Sequence, residues 1–244
     1  MDVVSAPRVL VEGSASVLRR WEASNIPLTS VEFDRAATLR REQDRTDYVA
    51  AHLLAREAAA LFIGRPAASL QLASRCPDCA SVSHGRPLLV DVAEVSISMS
   101  RARGVVAAVA GLGAMGIDAE PLHAVTDLEA LADTVLTAHE KSLVYAAADP
   151  HGAFLRLWVR KEALVKAGDA TLDGLSSLDL SDLGVDSGVR PRAARWRAWH
   201  LLDLHVSLDD DAPGASLGAI RGALVSVVAA TPPLWHDGAL AREP

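Results

Sequence analysis

Two short segments hold the residue types that could do chemistry. Gly116-Ile117-Asp118-Ala119-Glu120 offers two carboxylates at alternate positions. Trp158-Val159-Arg160-Lys161-Glu162-Ala163-Leu164-Val165-Lys166 offers a third, Glu162, with a lysine before it and another four residues after it. Oxygen ligands of this kind suit a hard cation such as Mg²⁺, which keeps waters and shares its site with substrate phosphates. If the fold brings the segments together, Asp118, Glu120 and Glu162 bracket a metal–phosphate site.

Each segment has to be weighed against a plainer reading. Residues two apart on a strand point to the same face, so Asp118 and Glu120 converge at the end of an apolar strand. Like charges that close raise each other's pKa unless a cation compensates. Two readings stay open for them, cation ligands or a solvated strand end. A second D-x-E, Asp127-Leu128-Glu129, is a control. It follows Thr126 at the start of an expected helix, where acids favour the helix dipole, and is read as a cap.

The second segment lies on an expected helix from about 153 to 167, closed by Gly168. At 100° per residue Phe154, Leu157, Trp158, Leu164 and Val165 form an apolar arc. Arg156 and Arg160 supply its expected solvent face. Glu162 and Lys166 fall beside Leu155 and Val159, away from those arginines. An i, i+4 surface pair is worth roughly 0.2–0.5 kcal/mol; the apolar neighbours favour a partly buried, functional pair instead. Lys161 projects within the arc and is expected to snorkel.

The elements that must position these residues follow from periodicity and punctuation. Helices are expected within 28–63, the second of them at 44–62 and stopped by Gly64-Arg65-Pro66. A loop follows, with Cys76, Cys79, His84 and Arg86. Val95–Ser100 alternates as a half-buried strand does. Strands are expected at 104–110 and 115–120, joined hairpin-like through Gly111-Leu112-Gly113. Helices come next at 127–136, 138–148 and 153–167, then strands at 196–208 and 217–230, and a frayed tail from 231. Both halves run helices, loop, then strands, which points to a duplicated α+β unit joined near 111–116.

Composition narrows the function classes. The net charge of −7 argues against a nucleic-acid binder, whose affinity comes from neutralising phosphates. No apolar run is long enough for a membrane span and the start does not read as a signal peptide. The two cysteines form one C-x-x-C. Zinc would need two more ligands and a redox motif would need a strand-to-helix setting, so a plain loop pair is the preferred reading. So few cysteines fit a reducing cytosol, hence a cytoplasmic location. His52 and His84 have no spacing partner, and the arginines of 35–56 are interspersed with acids.

Taken together, the segments resemble the larger, Sfp-type 4′-phosphopantetheinyl transferases, whose pattern runs close to G-[IV]-D-x-E and then [FW]-x-x-K-E-[AS]-x-x-K. Supporting similarity runs through L-T-S-V-E-F-D-R-A-A-T-L-R-R-E-Q-D-R at 28–45, Y-V-A-A-H-L-L-A-R at 48–56, H-G-R-P at 84–87 and W-H-L-L-D-L at 199–204. The resemblance implies an α+β fold of two similar subdomains in pseudo-twofold arrangement, 1–114 and 115–244, with coenzyme A in the cleft between them. It implies transfer of the phosphopantetheine arm to a serine of an apo carrier protein of fatty acid, polyketide or peptide synthesis, releasing adenosine 3′,5′-bisphosphate.

The resemblance also assigns roles. Asp118, Glu120 and Glu162 hold Mg²⁺, and Asp118 contacts the coenzyme's pyrophosphate. Glu162 is the base for the incoming serine, and Lys166 stabilises the leaving phosphate. Arg35, Arg86 and Ser98 contact coenzyme A. The family usually reads S-H-S where this chain has Ser98-Met99-Ser100, and that histidine contacts the coenzyme's phosphates. Met99 carries no charge and donates no hydrogen bond, a loss of about 1.5–3 kcal/mol. Weaker or altered coenzyme binding is therefore expected, with Arg101 or Arg103 as compensation. Two alternatives are a non-catalytic relative that binds coenzyme A or a carrier, and a Mg²⁺-dependent phosphohydrolase. Carriers are acidic, so a local basic patch including Arg156 and Arg160 is expected. Because two halves complete one cleft, so is a monomer.

Overall fold

The computed structural model describes residues 6–24, 27–76, 79–81, 85–125, 127–186, 188–208 and 222–237. His84, Thr126 and the far end of the tail lie outside them. The first half runs β1 (Arg8–Gly13), α1 (Ser14–Ser24), α2 (Ser30–Thr38), α3 (Glu42–Ile63), β2 (Leu72–Arg75), β3 (Arg86–Leu89), β4 (Val95–Ala102) and β5 (Val105–Leu112). The second runs β6 (Met115–Pro121), α4 (Leu128–Val135), α5 (Ala138–Ala146), α6 (Pro150–Ala167), β7 (Arg192–Trp196), β8 (Trp199–Ser207), β9 (Gly222–Ala229) and β10 (Leu234–Trp235).

The strands make two sheets, ordered β10-β1-β5-β4-β3-β2 and β6-β9-β8-β7. The run β1-β5-β4-β3 in one repeats as β6-β9-β8-β7 in the other. In each half a first strand leads through three helices, and a later meander returns to pair with it. The expected α+β class with two like halves holds. It is a fold of strand-paired layers, with α3 packed on the first sheet and α6 on the second.

Three apolar clusters mark the layers. Leu53, Leu54 and Ala58 of α3 pack on Leu10, Ile97 and Val106. Phe154, Leu157 and Leu164 of α6 pack on Leu201 and Val228. Between the sheets, Val9, Val105 and Val109 meet Ile117, Val225 and Val227. With so few aromatic residues, this middle layer is built from small branched chains and alanine, which let the sheets lie close.

The helix starts follow capping chemistry. Thr29 and Glu32 form a reciprocal capping box at α2, and Thr137 and Glu140 another at α5. Each of these buried glutamates also ion-pairs with a cation of the following long helix, Glu32 with Arg56 and Glu140 with Lys161. Asp149 caps α6 ahead of Pro150, which suits a first turn. That cap explains why α6 begins three residues before the start expected from its apolar arc. Asp127 accepts a hydrogen bond from Ala130 N–H, so the control D-x-E is a cap.

Several expectations are corrected. β5 and β6 are not a hairpin: β5 is paired on both sides, by β1 and β4, so the chain leaves for the other sheet. The strand expected at 196–208 is β8, and a further strand, β7, precedes it and joins it through a turn at Arg197, whose φ is 52°. The loop after Gly64 contains β2 and β3, and the start of the chain contributes β1 and α1. The tail gives β10, parallel to β1 with Arg8 opposite Leu234. No helix among the described residues is long and apolar enough to cross a membrane.

Candidate active site

The site forms where β6 lies against α6. Gly116 allows the approach: a Cβ there would stand 1.9 Å from the Ala163 carbonyl oxygen and 2.7 Å from the Ala167 nitrogen. Any side chain would push strand and helix apart. With the two in register, Lys166 Nζ reaches Asp118 Oδ1 at 2.7 Å and the Ile117 carbonyl at 3.0 Å. The helix therefore brings its last-turn lysine to the strand's carboxylate. Lys166 pairs with Asp118 rather than with Glu162, its i−4 neighbour.

β6 is an edge strand, so its second side is open to the other sheet. There β4 turns a row of serines toward it, on the face opposite Ile97. Ser98 Oγ accepts a hydrogen bond from Ile117 N–H at 3.2 Å, and Ser100 Oγ donates to Asp118 Oδ1 at 2.8 Å. Asp118 is 4% exposed, and its Oδ2 is buried with no hydrogen-bond partner among the described residues.

Glu120 and Glu162 are electrostatic neighbours of this pair. Burial first, then the Asp118 charge, pushes the Glu120 carboxyl up to about 7 from 4.5, with Glu162 adding in the same direction and Lys166 opposing. The Glu162 carboxyl is also raised, by burial and then Asp118, against Lys166. Such mutual repulsion is the condition a cation relieves. Even so, no group of three or more His, Cys, Asp and Glu side chains among the described residues stands gathered as a metal site. The expected trio is close in field without forming a closed ligand shell. The bare Asp118 Oδ2 beside two raised carboxylates is a donor set that fits a hard oxygen-seeking cation.

Next to it lies a cleft of about 400 Å³ lined by residues of both halves, among them Arg86, Ser98, Met99, Met115 and Lys166. Arg86 is exposed on β3, and its guanidinium lies over Gly168 at the end of α6, where an added Cβ would come within 3.1 Å. Met99 is half-buried, lining the cleft and packing on the first-half core. Arg35 is not among the lining residues. It lies on exposed α2, next to Thr38, and with Arg101 it contributes positive charge at Tyr48. Arg101 stacks on that ring, 5.4 Å from its centre.

Arg156 and Arg160 are not on the solvent face the helical wheel gave them, and Lys161 lies within the apolar arc as expected but stays inside it. Arg156 and Arg160 are 2% and 0% exposed. Arg160 makes a two-nitrogen contact with Asp203 Oδ2 at 3.1 and 2.6 Å, and Arg156 donates to the Val225 and Leu204 carbonyls. Burial pulls the Arg156 pKa down to about 10. Lys161 is fully buried and does not snorkel: Nζ contacts Glu140 at 2.6 Å and the Val135 and Leu175 carbonyls. The reason is common to all three. Helix α6 is covered on both sides, by β6, β9 and the turn region 172–186, so it has no broad solvent face. The expected basic patch at Arg156 and Arg160 does not exist.

Sequence reasoning missed Gly116 as the spacer between strand and helix, and Ser100 as a partner of Asp118. The signal was present for both. A glycine opens the apolar strand of the carboxylates, and serines alternate on a strand that has no solvent face. Cys76 is buried and Cys79 exposed.

Residues 114–218, a little under half of the chain, match the family model described as the 4′-phosphopantetheinyl transferase superfamily. No curated protein matches the chain. The matched span includes Asp118, Glu120, Glu162 and Lys166, and it begins just ahead of β6. The second half of the molecule therefore carries a 4′-phosphopantetheinyl transferase superfamily domain.

Proposed function

We propose that the protein moves the 4′-phosphopantetheine arm of coenzyme A onto a serine of an apo carrier protein. In this reading it is a larger, Sfp-type member whose two subdomains, 1–114 and 115–244, share the coenzyme, and it acts as a monomer in the cytoplasm. The observation that carries the reading is the Lys166–Asp118 contact of 2.7 Å beside a cleft with Arg86 on its wall. A phosphate-rich ligand meets cationic groups there, next to carboxylates suited to a divalent ion.

Asp118, Glu120 and Glu162 would hold Mg²⁺, which when bound neutralises charge on the diphosphate as its bridging bond breaks. Glu162 accepts the proton of the carrier serine hydroxyl as its oxygen bonds to the phosphorus of the pantetheine phosphate. In the metal-free protein burial, then the Asp118 charge, raises its affinity for protons; bound Mg²⁺ would oppose that rise. The bond from that phosphorus to the bridging oxygen breaks, and adenosine 3′,5′-bisphosphate leaves. Lys166 Nζ supplies a compact positive charge on the leaving side. Arg86 holds a coenzyme phosphate, and Ser98 lines the path of the arm. Arg35 and Arg101, which place positive charge at Tyr48, and Arg103, which acts on Glu120, are first-half cations that could serve the coenzyme, and Met99 weakens that grip.

The test is release of adenosine 3′,5′-bisphosphate from coenzyme A. The reading expects release only with an apo carrier present and only with Mg²⁺. Nucleotide release without a carrier would instead indicate a phosphohydrolase. Met99 favours one second reading, a relative that binds coenzyme A without transferring it. That relative would bind the coenzyme and release nothing under any condition.

A further inference from the structure

We infer that Ser100 is a positioning residue that fixes Asp118 with one oxygen satisfied and the other presented to a cation; this rests on the transferase reading above. Ser100 is 7% exposed and Asp118 4%, and they come from different sheets. Ser100 Oγ and Lys166 Nζ both donate to Asp118 Oδ1, at 2.8 and 2.7 Å. Oδ2 receives nothing among the described residues and is buried. Buried carboxylate oxygens are rarely left bare. Here the bareness is one-sided: two donors converge on one oxygen, so the carboxylate plane is set and Oδ2 keeps its lone pairs for a ligand.

The two donors are not equivalent. Lys166 sits on a long chain whose side chain is 29% exposed, and it can follow the carboxylate as it turns. Ser100 has a short side chain on the central part of β4, which is paired along its length with β5. The next serine along, Ser98, fastens β6 itself through Ile117 N–H. Together they form a cross-sheet clamp in which Ser98 holds the strand and Ser100 holds the side chain. Partners that orient a ligating carboxylate in this way typically contribute 10–100-fold to metal affinity.

The test uses the full chain and Mn²⁺ as the probe, followed by water-proton relaxation, with and without coenzyme A. Ser100→Ala is expected to weaken Mn²⁺ binding about 10-fold or more, and Ser100→Thr, which keeps the hydroxyl, to bind within a few-fold of wild type. Ser100→Cys keeps the shape with a weak donor and is expected to fall between, so it decides the matter if the alanine variant fails to fold. Thermal unfolding of each variant is measured alongside. Wild-type Mn²⁺ affinity in a folded Ser100→Ala or Ser100→Cys protein overturns the inference, including when the thermal midpoint drops. No Mn²⁺ binding by the wild type, alone or with coenzyme A, overturns the transferase reading and this inference with it.

Discussion

Lys166 Nζ lies 2.7 Å from Asp118 Oδ1, and the contact joins the last turn of α6 to the edge strand of the second sheet. The lysine is the one basic residue of that turn, where a cation also suits the helix dipole. Its partner is buried and its own side chain reaches the cleft, so it bridges the core and the ligand space. Replacing it by methionine keeps the length and removes the charge. Lys166→Met is expected to lower the turnover rate of transfer by roughly 10²–10³, the range for losing one preorganised stabiliser of transition-state charge. Steady-state kinetics with saturating coenzyme A check this, and a rate within a few-fold of wild type would remove Lys166 from the mechanism.

Glu120 gives a pH signature in the metal-free protein. Its folded pKa of about 7 exceeds the ordinary 4.5, so the folded state binds the proton more tightly than the unfolded state. This contribution to stability is complete below about pH 4.5 and is lost as pH rises toward the folded value of about 7. Glu120→Gln, permanently neutral, escapes the loss. Its thermal midpoint should match wild type near pH 4 and exceed it above pH 7, by an amount equivalent to at most roughly 3–4 kcal/mol. A midpoint difference that stays constant across that range would contradict the assignment.

The buried cations of α6 should behave as structural groups. Lys161→Met leaves the Glu140 carboxyl without its cation inside the core, a loss of about 3–5 kcal/mol in stability. Arg160→Met removes the nearer of two cations at Asp203, and the loss should be smaller because Arg156 Nη1 stays 3.7 Å from Asp203 Oδ1 and the Ser226 hydroxyl donates to that oxygen at 2.9 Å. Urea unfolding reads both. Salt dependence of carrier binding in a folded Arg160 variant should equal that of wild type, because the guanidinium is 0% exposed.

Gly116→Ala tests the close approach of strand and helix. The added methyl meets the Ala163 carbonyl, which is backbone and cannot swing aside. Overpacking of this kind costs about 1–3 kcal/mol, and relief by separating β6 from α6 pulls Lys166 off Asp118. Both stability and transfer should fall, with stability measured by unfolding and transfer on the surviving folded fraction. Loss of neither would mean the two elements are looser than their contact implies.

How much of this was legible beforehand depended on where the signal resides. The carboxylates and Lys166 could be read because strand alternation and helix spacing are local rules, and the two-half organisation because element order repeats. The burial of Arg156 and Arg160 could not, because a helical wheel assumes one solvent face and α6 is enclosed by elements distant in sequence; Lys161 was placed in the apolar arc, but its buried partner Glu140 was not legible. The β5–β6 connection was misread for a related reason: a Gly-rich joint between two strands looks alike whether they pair or part. Only the pairing of β1 with β5, set at the other end of that half, decides it. Ser100 showed as one of an alternating row of serines, but its partner lies on another sheet, which no local rule names.

Intact-mass measurement of an apo carrier protein incubated with this protein, coenzyme A and Mg²⁺ tests the central claim most directly. The account predicts that the carrier gains one phosphopantetheine on serine, that the gain requires coenzyme A and Mg²⁺, and that folded Glu162→Gln protein produces none. An unchanged carrier mass across a panel of fatty acid, polyketide and peptide carriers, or full gain with Glu162→Gln, would contradict it.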